Sequence, residues 1–421
     1  MTRTSLPLWV PLVEQRDFNP DTHTAVAADG VHVTFRDGQR RLCAKSGLWN
    51  ANLGFGNRAI AKAVAAALES ASYLPLFRSA HTHAIEAAEA LLQLPAHPFG
   101  KVIFSTSGSA ANDAVMKLAR QYCILIGEPE RKLIVGLRGS YHGLTYGSQG
   151  LSGDDLGQPL YGVDTRNIRH IRFDDGGAEL ENLMRREGHR VAAVVVEPVL
   201  GSGAEAVPAD FITALLAHRE ERGFLLVADE VATGFGRIHS WFVTDEWPEA
   251  PDVIVTSKGL TNGTSACAAL LVGTKVTETF DHTGAVFVHG ETQAGTPAAC
   301  AAILATIGEM AWVGHERLTR NVSVGLYELI RDLQGIDGVG ESTGRGCMRG
   351  LKLYSDTGVP LHTCATLAVV NRIHGAGAIV QPGPGRIQLL PALTYTEEDF
   401  QELHAAIAQG ILEARRDGVF A

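Results

Sequence analysis

No stretch of this 421-residue chain approaches the roughly 18 apolar residues needed to cross a bilayer. Its opening residues, MTRTSLPLWVPLVEQRDF, hold no continuous apolar run of the secretory kind. The six cysteines (43, 123, 267, 300, 347 and 364) form no CxxC pair and have no histidine cluster nearby. Neither a disulfide framework nor a metal site is therefore expected, and reduced core thiols in a cytoplasmic compartment are. Basic residues are in deficit, 36 Lys and Arg against 46 Asp and Glu, for a formal net charge of −10. That balance argues against nucleic acid and anionic membrane as partners. Internal repeats and low-complexity tails are missing too.

What remains is an ordinary globular composition, 45% hydrophobic and 19% charged, in a chain too long for one small core. Between about 101 and 272, short apolar runs alternate with amphipathic stretches: KVIFST, KLIVGL, VAAVVVEP, GFLLVADE, DVIVTSK and CAALLV. Several are apolar on both faces, as strands covered by helices on each side are. The expectation is an α/β fold around a largely parallel sheet. Helices are expected over 111–126, over 298–310, and in PADFITALLAHREERG between Pro208 and Gly223. After about Gly335 the segments become shorter and Gly-punctuated, marking a second domain. The hairpin-like VHVTFRDGQRRLC near the N-terminus is expected to pack with it.

Two strand ends carry the sharpest signal. GFLLVADE ends in Asp229, and DVIVTS runs into Lys258 about thirty residues later. A lysine and an acid so placed suit pyridoxal 5′-phosphate: the lysine forms an imine with the aldehyde, and the acid keeps the ring nitrogen protonated. FSTSGSAANDAVMKLAR reads as strand, small-residue loop and helix, with Gly108 and Ser109 able to cradle a phosphate. A plain capped helix, with Ser107 or Ser109 as N-cap, reads as well there. Tyr141 and His142, in RGSYHGLTYG, fall on a loop at a strand's carboxyl end, where ligands bind in open α/β sheets and an aromatic can stack on a flat ring. Glu197 ends another apolar strand and, like Asp229, needs a partner once buried. Each of these residues has a structural reading, but together they supply a phosphate loop, a ring stacker, a ring-nitrogen acid and an imine lysine.

With those motifs in place, the chain resembles the class III aminotransferases, fold-type-I enzymes of pyridoxal phosphate. The likeness runs from about Gly47 to Thr396 through SGSAANDAVMKLAR, YHG, EPVLGSGA, DEVATGFGR, SKGLTNG and HGETQAGTPAACAA. It implies a large cofactor-binding domain over 61–314 and a small α+β domain over 315–421, with the 1–60 segment packed on the latter. It implies Lys258 as imine base and proton shuttle, Asp229 at the ring nitrogen, Val231 under the ring and Tyr141 above it. Ser107, Gly108 and Ser109 would bind phosphate, helped by Thr292 from the neighbouring subunit of an obligate homodimer. His142 and Glu197 join the cofactor set. SGLWNANLGFGN and LPLFRSAHTHA resemble the amine:pyruvate (ω-transaminase) branch, which implies Trp49 as a wall of the substrate pocket and Phe77 as a contribution from the other subunit.

Departures from the family pattern bear on the substrate. Ala110 replaces the usual acid of the phosphate loop, and Leu200 a frequent glutamine. Gln388 and Glu397 stand where relatives keep arginines for a substrate carboxylate, with Arg386 on the same strand face as Gln388. Gln388 thus joins the substrate-pocket candidates. The substrate expected is an amine or ketone without a carboxylate beside the reacting carbon. More weakly, the chain is similar to aminotransferases of daptide-type ribosomal-peptide pathways, which would aminate a peptide's C-terminal ketone. The rivals are a conventional amine:pyruvate or amino-acid ω-transaminase, an aminomutase, racemase or decarboxylase on the same scaffold, and a cofactor-binding regulator without catalysis.

Overall fold

The computed structural model describes residues 6–238 and 240–421; the first five residues of the stretch read for a leader lie outside it. Seven strands form the central sheet: β1 (Phe99–Ser105), β2 (Leu133–Leu137), β3 (Ile168–Ile171), β4 (Val191–Val196), β5 (Leu225–Asp229), β6 (Val253–Thr256) and β7 (Ala268–Gly273). Their order is β1-β7-β6-β5-β4-β2-β3. Only β7 runs against its neighbours, β1 and β6; every other pairing is parallel. β2, β4, β5 and β6 are buried at every residue, which is why they read as unbroken Val/Leu/Ile/Ala runs rather than alternating ones.

The six apolar runs of the sequence all fall in this sheet. β3 is the strand that composition does not reveal, being a four-residue edge strand with Arg169 and His170 at its centre. The helix after β1 spans Gly108–Leu125, beginning earlier than its apolar periodicity because Ser107 caps it, accepting from the Ala110 N–H. Ala209–Arg222 starts after Pro208 and stops at Gly223, whose φ of +77° ends it in the left-handed conformation. Pro297–Val313 is the third expected helix.

Beyond it, an antiparallel sheet is built from Val339–Arg345, Met348–Leu353, Arg386–Leu389 and Gln381–Gly383. Helices Thr363–Gly375 and Glu397–Arg416 pack together alongside. The N-terminal hairpin, His32–Phe35 against Arg40–Cys43, continues into a sheet with Ala378–Ile379. All six cysteines are free, and only Cys364 is exposed. Among the described residues no single helix is long and apolar enough to cross a membrane.

Candidate active site

Strands running the same way open their carboxyl ends on one side, and the ends of β1, β2, β4, β5 and β6 and the loops leaving them carry most of the candidate residues there. They enclose a cavity of about 340 Å³ lined by Trp49, Ser107, Gly108, Ser109, Tyr141, His142, Glu197, Asp229, Val231 and Lys258, among others. Ten of the sequence-derived site residues therefore meet in one place.

Asp229 lies at the end of β5, buried. Its Oδ2 accepts from His142 Nδ1 at 2.7 Å and from Asn112 Nδ2 at 2.8 Å, and its Oδ1 from the Val231 N–H at 3.1 Å. Burial by itself would lower the His142 pKa; the hydrogen bond and charge of Asp229, with Glu197 behind them, outweigh it and hold the imidazole above its usual value. Asn112 also donates to the His142 carbonyl at 3.0 Å, so it ties the N-terminal part of the helix Gly108–Leu125 to both residues. Sequence reasoning missed Asn112. Its signal was a polar residue on the buried face of an otherwise apolar helix.

Glu197 follows β4. Its two oxygens accept from the Tyr141 N–H at 2.7 Å and the Gly201 N–H at 3.0 Å. Burial pushes its carboxyl up to about 7; the positive field of His142 and the two backbone donors oppose that, and Asp229 adds to it. Tyr141 is 40% exposed, with its ring at the cavity. Its phenol is raised by burial and by Glu197. Lys258 has a positive φ of 42°, and its Nζ lies 5.0 Å from the centre of the Trp49 ring. Burial holds its ammonium below the usual lysine value, although Asp229 and Glu197 pull the other way.

At the opposite end, Ser107, Gly108 and Ser109 open the helix N-terminus, with Ser107 as its cap. A β-carbon on Gly108 would stand 3.1 Å from both Val231 methyls, so the glycine lets Val231 into the cavity. Gly143 sits at φ +128°, against Ser109. A neighbouring acid, Glu291, accepts from the Thr106 N–H and the Ser105 hydroxyl, bracing the strand end before the loop.

A flat, anionic cofactor fits this constellation. A buried carboxylate faces the cavity, a lysine of lowered basicity shares it, and a helix start with hydroxyls supplies anion donors. The His142 Nε2 and Asn112 Oδ1 atoms, buried without hydrogen-bond partners, mark a polar floor that the protein does not itself complete.

Three sequence candidates lie elsewhere in the chain. Thr292 is exposed, its carbonyl accepting from Tyr73. Phe77, 56% exposed, borders a different cavity. Gln388 is buried beyond the cavity wall, its amide donating to the Gly201 carbonyl at 2.7 Å. Arg386 pairs with Glu205 at 2.5 Å and also donates to the Gly203 carbonyl. Glu397 begins the last helix and lines a separate groove.

The class-III aminotransferase family model matches residues 15–411. The chain is 26% identical to the β-alanine–pyruvate aminotransferase of Pseudomonas aeruginosa over 427 residues, covering 96% of this chain and 95% of that one. It is 29% identical to the putrescine–pyruvate aminotransferase of the same organism, covering 84% and 85%. Among solved structures, a transaminase with L-alanine superposes with a TM-score of 0.88 at 27% identity, covering 94% of this chain and 99% of that one. The chain therefore belongs to the class-III aminotransferases, which work through pyridoxal 5′-phosphate.

Proposed function

We propose that the protein is an amine:pyruvate-type ω-transaminase. Its donors are primary amines whose reacting carbon bears no carboxylate, and its acceptor is a small carbonyl compound; a keto acid such as pyruvate is taken without an arginine to hold its carboxylate and so at a raised KM. The observation that carries this reading is the cavity wall: Lys258 and Asp229 both line it, and among the described residues no arginine does. An arginine–carboxylate fork missing from a site typically weakens a carboxylate by a few kcal/mol, about tenfold per 1.4 kcal/mol. Support also comes from the relatives, two of which are named for β-alanine and putrescine as donors and for pyruvate as acceptor.

Bound pyridoxal phosphate supplies an electron sink and carries the amino group from one substrate to the other. Asp229 would hold the ring nitrogen, Ser107, Gly108 and Ser109 the phosphate, and Tyr141 and Val231 the two ring faces. Lys258 Nζ takes the proton from the donor's amino-bearing carbon and returns one to the acceptor's carbonyl carbon. Its burial favours the uncharged amine that this task requires.

We further infer a homodimer with shared sites, in which Thr292 and Phe77 serve the partner's cavity. Both are exposed and off the cavity of their own chain. The division into 1–60, 61–314 and 315–421 goes with this reading, supported by the pairing of Arg40–Cys43 with Ala378–Ile379.

The test adds amines singly to the cofactor-loaded protein and follows the absorbance of its lysine-bound form, which pyruvate should restore. Putrescine or β-alanine is expected to act faster than glutamate; the reverse order overturns the ω-amine reading. A peptide C-terminal ketone, as the daptide resemblance suggests, is assayed as a second acceptor in place of pyruvate. Nitrogen that never passes between two molecules would favour the aminomutase or decarboxylase alternative.

A further inference from the structure

Gln388 lies on Arg386–Leu389, a strand of the C-terminal antiparallel sheet, and is 2% exposed. Its Nε2 donates to the carbonyl of Gly201. The N–H of that same glycine donates to Glu197 Oε1, and Glu197 Oε2 accepts from the backbone of Tyr141. The two bonds at Gly201 therefore pin the peptide planes on both sides of one glycine, the residue with the most torsional freedom to lose. Gly201 also seats the pocket wall: a β-carbon there would stand 3.0 Å from Trp49 Cζ3 and 3.2 Å from Glu197 Oε1. Two residues earlier on the strand, Arg386 grips the same loop through the Gly203 carbonyl and Glu205.

We propose that Gln388 is a positioning residue for the active site, fixing the Gly201 backbone so that it aims its N–H at Glu197 and backs the ring of Trp49. The position that the family resemblance assigns to substrate charge is used here as scaffold, and its amide is committed to the loop. The proposal rests on the aminotransferase reading and extends it, because a neutral, occupied side chain at 388 leaves a carboxylate no partner there. Leucine at 388 would strand the Gly201 carbonyl, free the glycine to rotate and loosen one of the two backbone donors on Glu197. Those donors favour the ionised carboxyl, so its titration midpoint, about 7 in the intact network, would rise. The other titratable groups facing Glu197 are Tyr141 and His142 from the loop after β2, Asp229 from β5 and Lys258 after β6, none of which the substitution touches.

The experiment follows the Glu197 carboxyl itself, by infrared difference spectra of the holoenzyme against pH with Glu197→Gln identifying its band, and compares Gln388→Leu and Gln388→Arg with the parent. In Gln388→Leu the midpoint should rise by at least about half a pH unit. In Gln388→Arg, which keeps a donor and adds a positive charge, it should fall. A purely structural role would lower the melting temperature and leave both midpoints alone, and that result overturns the proposal. Should Gln388→Leu not fold, the arginine variant decides: a midpoint that stays or rises also overturns it. Parent protein that never shows the band of a lysine-bound cofactor would refute the aminotransferase reading instead.

Discussion

The carboxylate of Asp229 takes hydrogen bonds from His142, Asn112 and the Val231 N–H, all donors of its own chain. Asparagine at 229 keeps the shape but turns an NH₂ towards one of those donors and removes the charge that raises the His142 pKa. In Asp229→Asn the rate of the amine half-reaction should fall about 10²–10³-fold, by analogy with loss of a charge-stabilising group. Stopped-flow absorbance checks this, with retained cofactor showing that the site still assembles. The proposed mechanism asks more of Lys258, whose Nζ would both anchor the cofactor and move a proton. Lys258→Ala should lose at least about 10³-fold in turnover and the lysine-bound absorbance altogether, while melting as a folded protein. Near-native multiple-turnover activity in that variant would refute its assignment.

At the scale of elements, the acid next to Asp229 does different work. Glu230 accepts from the Thr244 N–H at 2.8 Å and the Thr233 hydroxyl at 2.6 Å, holding the turn Val243–Glu246 beneath β5. It has no cation among these contacts, and burial pushes its carboxyl up to about 7. A carboxyl raised in the folded state stabilises below its unfolded value, near 4.5, and loses that contribution as pH climbs to about 7. The full loss is at most about 3 kcal/mol. Glu230→Gln should therefore melt higher than the parent at pH 8 and narrow the gap in melting temperature between pH 5.5 and pH 8. Loop geometry makes the next prediction. Alanine at Gly143, besides its φ of +128°, would put a methyl 2.5 Å from Ser109 Cβ and 2.7 Å from its Cα. Gly143→Ala should release cofactor at least about tenfold more readily, read as the equilibrium constant for pyridoxal phosphate, since one displaced contact of about 1.4 kcal/mol is enough.

Sequence showed these elements unevenly, for physical reasons. β2, β4, β5 and β6 are buried on both faces, so each declares itself as an apolar run and delivers the residue at its end, Glu197 and Asp229 included. β3 has an edge to itself and can carry Arg169 and His170, which erases the signal. Asn112 was hidden because its partners lie 30 and 117 residues away, and only the fold brings them within reach. Gln388 was legible as an absence of arginine, but not as the donor to Gly201, 187 residues distant.

At the scale of the whole molecule, the exposed positions of Thr292 and Phe77 make a prediction that one chain alone cannot satisfy. If Thr292 serves the partner's phosphate, each cavity needs Lys258 from one chain and Thr292 from the other. Lys258→Ala and Thr292→Ala homodimers should then both be impaired, the first by the larger factor. A mixed dimer has one cavity with both defects and one with neither, because the intact lysine of the second chain meets the intact threonine of the first. Random reassortment of equal amounts yields about half mixed dimers, each with one intact site. Activity should therefore recover to about a quarter of the unsubstituted enzyme, read as amine-to-pyruvate turnover after the two variants are co-expressed. Sites confined to single chains would give only the mean of the two parents, and that outcome would remove the shared-site homodimer and the roles of Thr292 and Phe77 with it.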